Sequence, residues 1–467
     1  MSLKNNILYD ALSRFLKGRA YYPVCILIAA LAIILDLELY GVVAFSFLLT
    51  LLFFTLKESA RMFYPVVFLM ICAMNIMSEE DIAHAGYLVL CAIPVFSAIF
   101  YNIIRHKKKL RSCKFVLPMI AVSLACTLGG LGSISVADYI APSSLFYVFF
   151  LGFGMIGLVL VVYTLWDGEN YKDLQFEFIQ AMCHAGIFLS FVMVYYYAMN
   201  FTEFSGSHQI IEILSENPFR NLAVAFYLIA MPFAFFCARH HVAYILGGCM
   251  MYGACLISGS RMGLLFGSLE FILCMVYIMI KGKKFKMLKT LILLGLVAVV
   301  IFLREDILNI YFGREDFSWF KMGEIRVTMM HRSIDDFWNA PLFGQGLGYT
   351  GNEDSYKPLA FEMHWYHNFL CQIVGSLGIF GIICYCYQFY YRLCLILERP
   401  SSYGWLVFMM YIGVLMNSLV DPGIFMPFPT VFILNMAFML LHLEHQGDER
   451  VALHPIKRLK GRVLFGK

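Results

Sequence analysis

Runs of roughly twenty apolar residues recur along almost the whole of this 467-residue chain, and they constrain everything else it can form. In lipid a spanning segment must satisfy its own backbone polar groups, so such runs become helices. The composition agrees: 61% of residues are hydrophobic and only 14% charged, where a soluble domain carries about a quarter charged. We place about fourteen span centres, near Ala30, Leu48, Phe68, Pro94, Ala121, Gly154, Leu189, Ile229, Gly248, Ile272, Gly295, Gly378, Ile412 and Ile433. Merging a pair at the weakly basic Trp166–Asp173 turn gives about twelve. The expected fold class is all-α: a polytopic membrane bundle of about 12–14 helices with one long, structured extracytoplasmic loop.

The net charge of +4 matters less than where the charges lie. Most of the 35 Lys and Arg fall on alternate turns: Lys57 and Arg61; Arg105 to Lys109 with Arg111 and Lys114; Lys281 to Lys289; Arg392 and Arg399; and the tail. Early turns of opposite sidedness hold Asp36, Glu38, Glu79, Glu80 and Asp81. Basic residues near span ends resist translocation, so both termini are expected in the cytoplasm, in a multi-pass protein of the cytoplasmic membrane. The basic start, with Lys4, Arg14, Lys17 and Arg19, reads as a retained signal anchor. The 14 cysteines sit in apolar or inward segments and are read as packing residues.

On this topology the chain divides into a transmembrane bundle (1–303), an extracytoplasmic loop (304–366), C-terminal transmembrane helices (367–445) and a basic cytoplasmic tail (446–467). Within the loop, Ile325, Met329, Met330, Ile334, Phe337 and Trp338 recur at helical spacing and stop at Pro341. The run Pro341-Leu342-Phe343-Gly344-Gln345-Gly346-Leu347-Gly348 then forms a glycine-rich turn, which lets backbone approach a ligand or a neighbouring helix closely. A second outward region, Phe201 to Asn221, has a turn at Asn217-Pro218.

Chemistry-bearing residues gather at the outward ends. His367-Asn368 stands where the loop re-enters the membrane, and an imidazole there can exchange a proton near neutral pH. Read alone, it is equally a histidine satisfied at a helix start. Arg261, in Ser258-Gly259-Ser260-Arg261, is either a snorkelling anchor or a fork for phosphate, and the small neighbours leave room beside it. Arg326 opens the loop helix; Arg220, Arg314 and Arg332 are further cations, each also readable as solvated. Tyr366 and Trp365 read as interfacial aromatics, Asp335, Asp336, Glu353, Asp354 and Glu362 as solvated carboxylates, and Asp421-Pro422-Gly423 as a turn. His331 and His364 are read as ordinary histidines. No metal site is expected, because His364 and His367 lack further ligands and no Asp-x-Asp pair stands in the outer loops. Nucleotide and nucleic-acid motifs are absent.

Three of these pieces, in order between about residues 255 and 385, resemble the bacterial O-antigen ligase and O-antigen polymerase family of membrane glycosyltransferases. Ser258 to Gly263 is similar to the family's S-x-S-R-x-G. Arg326 with Pro341 to Gly346 is similar to its R…P-L-x-G-x-G. His367-Asn368-x9-Gly378-x-x-Gly381 is similar to its H-[NSQ]-x9-G-x-x-G. Met330 departs from an aromatic often found there, which puts local packing rather than Arg326 in question. The resemblance implies a GT-C-like helical fold and a metal-independent, inverting transfer without cofactor. The donor would be an undecaprenyl-diphosphate-linked glycan, and the acceptor a glycan or lipid A core. It further implies His367 as general base and Arg261 and Arg326 on the diphosphate, with Arg220, Arg332, Ser258, Ser260 and Asn368 as secondary candidates. The alternative is a lipid-linked glycan flippase or another polytopic transporter, a class expected to show an internal repeat; none is evident.

Overall fold

The computed structural model describes residues 7–75, 89–110, 115–131, 148–200, 219–258, 260–281, 286–302, 304–305, 319–347, 366–421 and 423–447. The chain is helical throughout these segments, and no strand occurs among the described residues. The first helices are α1 (Ile7–Lys17), α2 (Tyr21–Ile34), α3 (Glu38–Thr55), α4 (Phe63–Met74) and α5 (Val89–Arg105). Next come α6 (Val116–Leu131), α7 (Phe153–Leu165), α8 (Tyr171–Asn200), α9 (Phe219–Cys237), α10 (Ala243–Ile257), α11 (Arg261–Lys281) and α12 (Lys286–Phe302). The last four are α13 (Trp319–Asn339), α14 (Phe369–Glu398), α15 (Ser402–Ser418) and α16 (Phe432–Gly447).

Every span centre expected from the sequence lies inside one of these helices. Among the described residues, five spans are long and apolar enough to cross a bilayer, or up to six if α1 and α2, bent by 86° at the break between them, count together. Shorter apolar helices include α4, α5, α6, α7, α9 and α10. The chain is an all-α polytopic membrane protein. The carboxylates Glu79, Glu80, Asp81, Glu353, Asp354 and Glu362, and with them Arg314, His364, Trp365 and the tail from 448, lie outside the described residues.

Two compact units emerge, one of residues 1–112 with 160–196 and one of 113–159 with 197–467. In the first, aromatic side chains pack between helices: Phe63 meets Trp166 and Phe178, and Phe68 meets Phe45 and Phe188. One end of this unit collects its cations. Arg61 pairs with Glu177 at 3.4 Å and lies over the Tyr22 ring, while Lys108 pairs with Glu169 at 3.1 Å. The basic turns at 61 and 105–109, grouped from charge alone, therefore share one end.

In the second unit α9 is largely buried, packed by α10, α11 and α15. α14 packs against α6, α13, α15 and α16. Arg392, counted from the sequence among turn charges, lies inside α14 and is 2% exposed. Its guanidinium donates to Asn435 Oδ1 at 3.2 Å and lies 5.3–5.9 Å from the Phe438, Tyr411 and Phe115 ring centres, contacts that offset the loss of water around the charge.

The feature that positions the site is a break in α14. At Gly378 the backbone turns to φ +61°, ψ −157°, and the helical ladder is interrupted. Residues 341–346 enter the gap. The carbonyls of Gly375 and Ser376, which would bond Ile379 and Phe380 in an unbroken helix, accept instead from Gln345 N (3.0 Å) and Gly346 N (3.1 Å). The freed amides of Ile379 and Phe380 donate to Pro341 O (2.9 Å) and Leu342 O (3.1 Å). All four displaced groups are thus satisfied by the loop, which is what allows a broken helix below a membrane surface.

Candidate active site

His367 stands two residues before α14, in the left-handed region at φ +50°. A non-glycine residue there costs about 1–2 kcal/mol, so its surroundings must hold it. Asn368 does part of this. Its side-chain oxygen accepts from Leu370 N at 2.8 Å and Cys371 N at 3.4 Å, which makes it the N-cap of α14. Its amide nitrogen donates to Leu419 O at 3.2 Å, which ties the start of α14 to the end of α15.

That tie brings Asp421 to the histidine. Asp421 Oδ1 lies 4.0 Å from His367 Nδ1, with both side chains partly exposed at 22% and 34%. The turn carrying it is fixed by Asp421 N donating to Asn417 O (2.9 Å) and Ile424 N donating to Ser418 Oγ (3.0 Å). The sequence reading of Asp421-Pro422-Gly423 as only a turn missed this. The turn signal was right, and the aspartate's partner lies far back in the chain.

Arg326, on an exposed face of α13, is close enough to act on both groups. Burial, and then the Arg326 charge, lowers the His367 pKa from its ordinary value. Burial pushes the Asp421 carboxyl up to about 6, with Arg326 pulling the other way. Around neutral pH the pair is therefore a neutral imidazole beside a carboxylate. With Nδ1 turned towards Asp421, Nε2 is the nitrogen left to accept a proton.

α13 covers 319–339, as the apolar periodicity around 325–338 predicts, but the face it buries is different. Met329, Ser333 and Asp336 are buried, while Met330, Ile334 and Trp338 are half or more exposed or nearly so, at 50%, 42% and 72%. Asp336, expected to be solvated, accepts from the Tyr366 hydroxyl at 2.5 Å and lies 3.8 Å from Arg332 Nε. Tyr366, expected at the membrane interface, is 3% exposed. Both corrections have one cause: α13 lies against α14 and closes water off from the side between them.

Arg261 is the first residue of α11, and Arg220 lies in the first turn of α9. The first turn of α11 meets the second turn of α9, since a Cβ added at Gly263 would lie 3.2 Å from Val224 Cγ2. α9 and α11 both pack against α15, the helix that leads to Asp421. The Arg220 and Arg261 side chains are outside the described residues. Ser258 and Ser260 are buried, and they stitch the turn before α11: Ser258 Oγ donates to Cys255 O at 2.7 Å and accepts from Ser260 N at 3.2 Å. The structure thus gathers His367, Asp421 and Arg326, pairs Arg332 with Asp336, and sets Arg220 and Arg261 on adjoining helix starts.

Residues 246–386 match the family model described as O-Antigen ligase. That stretch is similar to the O-antigen ligase family. It runs from α10 through the break in α14, so it takes in Arg261, Arg326 and His367; Asp421 lies beyond it. A search of curated proteins finds no match to the chain. O-antigen ligases are glycosyltransferase-type membrane enzymes, and the matched stretch is built largely of apolar helices in its described residues.

Proposed function

We propose that the chain transfers a glycan from an undecaprenyl-diphosphate donor to an acceptor hydroxyl at the outer face of the cytoplasmic membrane. The observation carrying this reading is a strained histidine at the start of a membrane helix, flanked by a carboxylate and an arginine that act on it. Basic residues near span ends resist export, and on that rule both termini are cytoplasmic and the site faces outward.

The acceptor hydroxyl approaches His367 Nε2. As its oxygen attacks the anomeric carbon from the face opposite the diphosphate, its proton passes to Nε2. The bond from anomeric carbon to diphosphate oxygen breaks with its electron pair, the configuration inverts, and undecaprenyl diphosphate leaves. The Asp421 carboxylate offsets the imidazolium that forms; the 4.0 Å gap needs to close by about 1 Å for a full hydrogen bond, a tightening common on substrate binding. Arg326 and Arg261, with the free amides at the start of α11, stabilise the departing diphosphate without a metal ion.

The test uses purified protein in lipid with a lipid-linked repeat, with and without lipid A core. Longer chains in the first tube identify a polymerase, and product only in the second identifies a ligase. His367→Ala is expected to lower transfer by roughly 10²–10⁴-fold while the protein still inserts. Transfer at the parental rate would overturn the assignment. A chain that moves donor across the membrane and transfers nothing is a flippase.

A further inference from the structure

Three contacts link residues 326–342 to residues 366–380. Arg326 acts on His367. Further on, Asp336 meets the Tyr366 side chain, which runs down to Gly375: a Cβ there would lie 2.9 Å from Tyr366 Cζ and Oη, and 3.2 Å from Ser333 O. Last, Pro341 and Leu342 bond Ile379 and Phe380. The two helices therefore run alongside one another, and the middle contact is a side-chain hydrogen bond between a residue of α13 and the one that precedes His367.

We infer that the Tyr366–Asp336 hydrogen bond is a register clamp, which makes Tyr366 and Asp336 positioning residues that hold Arg326 against His367. The inference rests on the transfer reading above. Its geometry is specific. Tyr366 adjoins His367 in the chain, and its backbone N donates to Gln372 Oε1 at 3.1 Å. Gln372 Nε2 in turn donates to Ser376 Oγ at 2.9 Å, and Ser376 carries one of the two carbonyls at the helix break. The tyrosine is thus fixed at both ends, by its amide to α14 and by its hydroxyl to α13. Asp336 is 5% exposed and its carboxylate also faces Arg332, so it is held in place on the α13 side. A shift of one helical turn would carry Arg326 about 5 Å from its place. Neither clamp residue needs to touch substrate.

Among the described residues, Arg326 from α13 and Asp421 from the turn after α15 act on His367; Asp336 meets Tyr366 and Arg332 instead. With the clamp cut, Arg326 is free to move off and its charge no longer disfavours the imidazolium. Tyr366→Phe and Asp336→Ala cut the bond from opposite sides. Each is expected to lower kcat by about tenfold with KM changed much less, and to move the acid limb of the pH–rate profile to higher pH. Asp336→Asn keeps an oxygen to accept the hydroxyl proton and should restore the parental limb. The His367 titration is also followed by NMR in the purified protein, assigned by the signal lost in His367→Ala. A limb and a titration both unmoved in folded Tyr366→Phe would overturn the clamp. So would failure of both cutting variants to fold, which assigns the bond to assembly alone. A moved titration with normal transfer would keep the clamp and sink the transfer role of His367.

Discussion

At the scale of single residues, protonation decides whether His367 can work. Burial comes first and the Arg326 charge second in lowering its pKa, so the imidazole stays neutral, and able to accept a proton, to lower pH than an ordinary histidine. Asp421 ionises only above about 6, because burial opposes its charge. The working state therefore needs His367 deprotonated and Asp421 ionised, and transfer should fall as pH drops through about 6. The two neighbours have opposite signs. Arg326→Gln removes a positive charge, raises the histidine pKa and should move the acid limb to higher pH. Asp421→Asn removes a negative charge, should move the limb to lower pH, and should cut the plateau rate by roughly tenfold to a hundredfold, since nothing then offsets the imidazolium. Rate profiles of the two variants in the purified transfer assay check both signs. Limbs that stay at the parental pH in both would remove Arg326 and Asp421 from the site. His367 was legible in the sequence because it stands at a polar-to-apolar junction. Asp421 was not, because aspartate before proline and glycine already satisfies the local pattern of a turn, and its partner comes from another helix start.

At the scale of elements, the glycine-rich turn and the break in α14 form one structure. The sequence shows two glycine motifs, and glycine licenses close approach without saying what approaches. Here backbone approaches backbone. A Cβ at Gly344, where φ is +72°, would lie 2.1 Å from Ser376 C, and one at Gly378 would lie 2.6 Å from Pro341 O. Neither neighbour is a flexible side-chain end that can swing away. Gly344→Ala should therefore destabilise the fold by about 3 kcal/mol or more, the range reached when backbone strain and overpacking act together. Gly253→Ala, in α10 with nothing within 4 Å of the added carbon, should be neutral or slightly stabilising. Thermal unfolding of the two variants in the same detergent separates them. Equal stability would mean that residues 341–346 do not insert as described. The same element explains why α13 was legible as a helix but its buried face was not. Apolar periodicity in 325–338 takes in Met329, Met330, Ile334 and Trp338, yet of these four only Met329 is buried, beside the polar Ser333 and Asp336. Docking through a hydrogen-bonded carboxylate leaves no hydrophobic signature, whereas apolar residues left outside suit a helix at a lipid surface.

At the scale of the whole molecule, charge and apolar length carried most of what could be read. Each expected span centre falls in a helix, since a run of apolar residues has few other ways to satisfy its backbone in lipid. What local pattern cannot give is which helices are complete spans, because α9 and α10 are short and are set by the neighbours they pack against. Sidedness is a separate question, and it bears on function: a donor presented on the outer face can be used only if the His367 end lies there. In the first unit Arg61, Lys108 and their acidic partners occupy one end, and basic residues resist export. Orientation can be measured in cells with a membrane-impermeant thiol reagent. Lys57→Cys places a thiol at an exposed position of the basic end, and His331→Cys places one on the exposed side of α13. Labelling above the parental level is expected in intact spheroplasts for His331→Cys, and only after permeabilisation for Lys57→Cys. The reverse pattern would put the imidazole in the cytoplasm, where the basic turns predict it cannot be, and an outer-face transfer would then have no base.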